Sequence, residues 1–228
     1  TPALRRSEGS TDPDQQLLHA ELLSFLALVA RDPAARATLH RQALAFTGFE
    51  READSKALNS DLYEAALTVA LQDGDERFLR HLIALRKELD DPKFEGASAR
   101  ALGRVQDPVL LPLVQALVLS PDMGSREAFD LLQEATATAG VQQHNWRWLV
   151  QNFPAVITKI PGQWRRQTPA LARAFCSSKG LAELQSLFKR HAELVPGYQR
   201  SYDQTVERLR LCIALRPRGE ALASHLRK

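Results

Sequence analysis

Apolar side chains recur along this chain at helical intervals, and no convincing run alternates apolar with polar residues as a half-buried strand would. Leu18, Leu22, Phe25 and Val29 follow i, i+4, i+7, i+11 spacing, as do Phe78, Leu82, Leu85 and Leu89. Trp146, Leu149, Val150 and Phe153 form a third stripe, and Tyr202, Val206, Leu209 and Ile213 a fourth. Each stripe predicts a helix that turns this face to a core.

The punctuation between the stripes agrees. Asp32-Pro33, Asp91-Pro92 and Asp107-Pro108 each place a carboxylate where it caps free amides and a proline where the first helical residue needs no donor. Thr168-Pro169 repeats the device. Gly48 and Gly74 stand where helices are expected to stop, because glycine adopts the left-handed terminating conformation without a side-chain penalty.

About a dozen helices with short connections predict an all-α fold of antiparallel pairs, best described as a degenerate HEAT-like α-solenoid or superhelix. The Asp-Pro starts are too irregular for a strict ankyrin or tetratricopeptide period. The expected organisation is a linker over 1–13, rich in Pro, Ser, Thr and charge, followed by a single helical-repeat domain over 14–228. The absence of an initiating methionine predicts a processed or excised piece of a longer parent chain.

Composition narrows the function classes. With 44% hydrophobic and 25% charged residues the chain has ample material for a core. Up to Val141 there are 15 Lys and Arg against 22 Asp and Glu, a balance of −7, whereas Gln142 to Lys228 hold 15 against 5, a balance of +10. A basic half attracts anions of several kinds, but no aromatic and basic interleaving of the RNA-binding type accompanies it, and no nucleic-acid partner is expected. No apolar stretch reaches the roughly 20 residues of a membrane span. The segment is expected to be soluble, in the cytoplasm or a periplasm. Cys176 and Cys212, the only cysteines, supply neither a disulfide framework nor a four-cysteine zinc site, and they read as two buried thiols.

Catalytic machinery is missing. None of His19, His40, His81, His144, His191 and His225 has a second histidine or a glutamate at the spacing of a helical zinc site, and HExxH does not occur. GxSxG, Walker and GxGxxG motifs are likewise absent, so no catalytic residue, metal ligand or cofactor is assigned to this segment. Glu88-Leu89-Asp90-Asp91 straddles an expected helix boundary and serves capping. In HNWRWLVQNF, Trp146 belongs to the core and Trp148 is half exposed. The most suggestive polar feature is the pair Arg165 and Arg166 in PGQWRRQTP, since a guanidinium holds a carboxylate through two parallel hydrogen bonds.

The order of segments resembles the C-terminal helical domain of the M1 family of zinc aminopeptidases. The likeness runs through the stretch carrying Leu102, Gly103, Asp107 and Ser120, continues through NWRWLVQNFPAVITKI, and ends where Arg200, Gln204 and Glu207 occupy positions common in the family's penultimate helix. It departs at Gly124 and Glu127, where an arginine and an aspartate are frequent, and at Cys212, where asparagine is usual.

The resemblance implies a parent whose upstream domain binds zinc through HExxH and a later glutamate. It also implies a helical domain that closes over that catalytic site, shapes the peptide cavity and is not catalytic by itself. Its partners would be the chain's own upstream catalytic domain and a peptide substrate, with Arg165 and Arg166 as candidate substrate-binding residues. The alternative is a stand-alone helical-repeat scaffold for protein interaction.

Overall fold

The computed structural model describes residues 12–160 and 162–226, with side chains as far as Arg218. Among these residues the protein is all-helical, with no strand, as the periodicity predicts. Its helices group into two compact units divided between Leu110 and Leu111. The expected linker over 1–13 lies outside the described residues except for Asp12 and Pro13, which begin the first helix.

The first unit contains α1 (Pro13–Leu28), α2 (Pro33–Thr47), a 3-10 turn (Ser60–Leu62), α3 (Tyr63–Asp73), α4 (Glu76–Glu88) and α5 (Pro92–Gly103). Helix α3 is buried at every position from Ala65 to Leu71, with Ala66, Leu67, Val69 and Ala70 fully enclosed, so it lies at the centre; α1, α2, α4 and α5 all pack on it. Phe46, Tyr63 and Phe94 meet there with ring centroids 4.8 to 5.9 Å apart. Arg36 ties helix ends together: it donates to the Ala27 carbonyl of α1, at 3.2 Å, and to the Asp73 carboxylate at the end of α3, at 2.5 Å.

Two of the four expected caps form. Asp32 accepts from the Ala35 amide at 2.8 Å, and Asp91 accepts from Lys93 and Phe94. Asp12 and Asp75 do the same work for α1 and α4. Gly48 takes the left-handed conformation, φ 69°. Gly74 does not; its backbone is extended, and glycine is needed because a Cβ would lie 2.5 Å from the Ala70 carbonyl oxygen.

Three local expectations are corrected. The stripe of α1 faces outward, with Leu18 44%, Phe25 55% and Val29 67% exposed, while Ala20, Leu23 and Ala27 pack inward. The helix is apolar on both sides, and its small residues allow the closer approach, so periodicity alone picks the wrong face. Asp107 accepts from the Val109 amide, but this closes a turn, and the next helix begins only at Leu111. Thr168 caps nothing: its hydroxyl donates back to the Arg165 carbonyl at 2.8 Å, and a 3-10 turn follows.

The second unit contains α6 (Leu111–Leu119), α7 (Ser125–Ala137), α8 (Gln142–Gln151), α9 (Phe153–Lys159), α10 (Gly162–Arg166), a 3-10 turn (Thr168–Ala172), α11 (Ser178–His191), a second such turn (Ala192–Leu194) and α12 (Gln199–Leu226). The stripe from Trp146 to Phe153 is divided at Asn152, because Pro154 has no N–H to continue the ladder of α8. Trp146, Leu149, Phe153 and Leu209 are nonetheless buried, and Trp148 is half-buried.

Cys176 and Cys212 are not thiols. They form a disulfide, with Cα atoms 5.5 Å apart, which joins the residue preceding the Ser177 cap of α11 to the middle of α12. Both cysteines are half-buried. Helix α12 runs past the start of α11, and a separation of 36 residues in sequence gives no hint of that approach.

Candidate functional site

The basic pair of the sequence closes the short helix α10. Arg165 is half-buried and donates through Nε to the Ile160 carbonyl at 3.0 Å, so this bond fixes its stem against the end of α9. Arg166 is exposed and lies over Gly197, whose φ is 80°; a Cβ on that glycine would come within 3.2 Å of Arg166 Nε. Gly197 therefore leaves room for Arg166 while supplying the left-handed turn ahead of α12. Neither arginine forms an ion pair with a described residue that would consume its charge.

Neighbouring groups pack around this turn. Trp164 sits 5.5 Å from the Phe129 ring, and the Arg126 guanidinium stacks over its indole at 5.8 Å. Lys159, the last residue of α9, donates Nζ to the Ser120 carbonyl at 2.7 Å, and Ser125 donates to the Lys159 carbonyl at 3.0 Å. These two bonds clamp α9 to the connection between α6 and α7. What results is a braced basic projection suited to holding an anion by charge and hydrogen bonds.

The residues that carry the family likeness have structural work. Leu102 and Gly103 are buried at the end of α5, and Ser120 Oγ accepts from the Asp122 amide. Arg200, Gln204 and Glu207, spaced i, i+4, i+7, share one exposed face of α12. The departures at Gly124 and Glu127 fit one another: Glu127 accepts from the Gly124 N–H at 3.2 Å and so caps α7. Among the described residues no group of His, Cys, Asp or Glu side chains has the arrangement to hold a metal ion. No described helix is long and apolar enough to cross a membrane.

A family model described as the ERAP1-like C-terminal domain matches residues 1–211, nearly the whole chain. The chain belongs to that family. An ERAP1-like C-terminal domain is the C-terminal domain of an M1-type aminopeptidase, which implies association with a catalytic domain and zinc in the parent chain. A search of the curated proteins returns no match. The sequence signalled Arg165 and Arg166 because they are adjacent. It gave no signal for Arg126 over Trp164 or for Gly197 beneath Arg166, which are brought together only by the fold.

Proposed function

We propose that this chain is the non-catalytic lid of an M1-type zinc aminopeptidase, a C-terminal domain that closes over the catalytic site and shapes the peptide cavity. In this reading residues 14–228 are a HEAT-like helical-repeat domain that receives the peptide. Zinc belongs to the upstream domain, and this chain supplies shape and charge. Arg165 and Arg166 meet the negative C-terminal end of the peptide. Enclosure strengthens that attraction, because a lower local dielectric raises the energy of a given charge pair. The observation that supports the reading above all is the family match over residues 1–211.

The test compares peptide trimming by the parent enzyme with and without residues 14–228, and then with Arg165→Gln and Arg166→Gln together. Removal should abolish the dependence of rate on peptide length. The double variant should raise KM for peptides with a free C-terminus and leave their C-terminal amides nearly unaffected. Unchanged length preference after removal would sink the lid role, and equal KM effects on acid and amide would sink the role of the arginines.

A further inference from the structure

Within the second unit, α8 and α11 leave between them a pocket of about 220 Å³. This is below the ~300 Å³ at which sites for drug-sized ligands begin, so it has room for one compact group. Its wall from α8 includes the Trp146 indole and the half-buried Val150, and its lining is mostly apolar. The Trp146 side chain is held in place by the Phe175 ring at 5.1 Å, and its buried indole N–H has no hydrogen-bond partner among the described residues.

Charge is placed at the same pocket. Arg147 of α8 and Arg190 of α11 both line it and both are exposed. Among the described residues each uses only Nε, within its own helix, Arg147 donating to the Gln143 carbonyl at 3.3 Å and Arg190 to the Ser186 carbonyl at 3.4 Å. Their terminal nitrogens remain available for a ligand. Among the described residues the one carboxylate lining the pocket, Glu183, is already engaged: it accepts from Gln143 Nε2 at 3.1 Å and lies 3.9 Å from Lys179 Nζ. Two guanidiniums beside an aromatic and aliphatic wall make a site for a molecule with one anionic end and one apolar end.

We propose that this pocket binds a compact organic carboxylate, its apolar body against Trp146 and Val150 and its carboxylate held by Arg147 and Arg190. The assignment is independent of the aminopeptidase reading, since it needs neither Arg165, Arg166 nor a catalytic domain.

The test is titration of the 228-residue chain with 3-phenylpropionate and, separately, with its neutral amide, following the indole N–H resonance of Trp146 by NMR. That resonance is identified by its loss in Trp146→Phe. The acid should shift it saturably, with a dissociation constant of about 1 mM or tighter, and the amide should bind at least about tenfold more weakly. Arg147→Gln and Arg190→Gln should each weaken the acid about tenfold without changing the amide. Equal binding of acid and amide, or no saturable shift by about 20 mM acid, would overturn the proposal. So would acid binding that survives in the double variant. The comparison of acid with amide on the unaltered chain decides the matter even where a variant fails to fold.

Discussion

Gln115 donates its side-chain amide to Asn145 Oδ1 at 3.0 Å in the buried interior of the second unit, and Asn145 in turn donates to the Ala135 carbonyl at 2.9 Å. Both side chains are more than nine-tenths enclosed. The relay therefore links α6, α8 and α7 through groups that water does not reach. Removing one member leaves buried polar atoms without partners.

Asn145→Leu is expected to cost about 1–3 kcal/mol, since it strands the Gln115 amide and the Ala135 carbonyl. Gln115→Leu should cost a similar amount. Because the residues share one bond, the double variant should lose less than the sum of the two. Urea unfolding of the three proteins checks this, and strict additivity would contradict the relay.

Two glycine-to-alanine substitutions should differ in sign. Gly74→Ala puts a methyl 2.5 Å from the Ala70 carbonyl oxygen, which is backbone and has little freedom to move; a loss of roughly 1–3 kcal/mol is expected. Gly96 lies inside α5, and the nearest atom to its added methyl is Arg100 Nη1 at 3.3 Å, the end of a long side chain. Gly96→Ala should stabilise by about 0.5–1 kcal/mol through helix propensity. Thermal or urea unfolding reads both.

The disulfide constrains the unfolded chain over 36 residues of separation. Reduction, or Cys176→Ser with Cys212→Ser, is expected to cost about 3–4 kcal/mol by the chain-entropy relation. The two treatments should agree in urea unfolding. A loss of less than about 1 kcal/mol would show that the cross-link constrains little.

Tyr63 sets an alkaline limit. Burial, and then the charge of Asp91 and the hydrogen bond donated to it, raise the pKa of this hydroxyl above its usual value of 10.0. The neutral form is the one the fold favours, so the stability tied to it is fully present below pH 10.0 and is lost as pH rises through the higher folded pKa. In absorbance titration, the tyrosinate signal missing from Tyr63→Phe should develop at higher pH in the folded protein than in urea. Coincident midpoints would refute the argument.

The sequence revealed the helices and most of their ends because these depend on neighbours a few residues away. Asp32 and Asp91 cap helices as their Asp-Pro pairs announce, Gly48 ends α2, and Trp146 is core where Trp148 is not. What failed depended on choices made in three dimensions. Helix α1 has two apolar faces, and only contact with α2 and α3 determines that Ala20, Leu23 and Ala27 turn inward. Cys176 meets Cys212 because α12 returns past α11. The basic turn was legible as Arg165-Arg166, whereas the pocket of Arg147 and Arg190 joins residues from two helices that no local pattern connects.

The segment shared with the family stops at residue 211, and the cross-link closes on the very next one. A gene fragment trimmed to that homology boundary would keep Cys176 and discard its mate. The orphaned sulfur would be free to exchange with other molecules, and aggregates joined by mixed disulfides would then be a fault of the cut rather than of the fold.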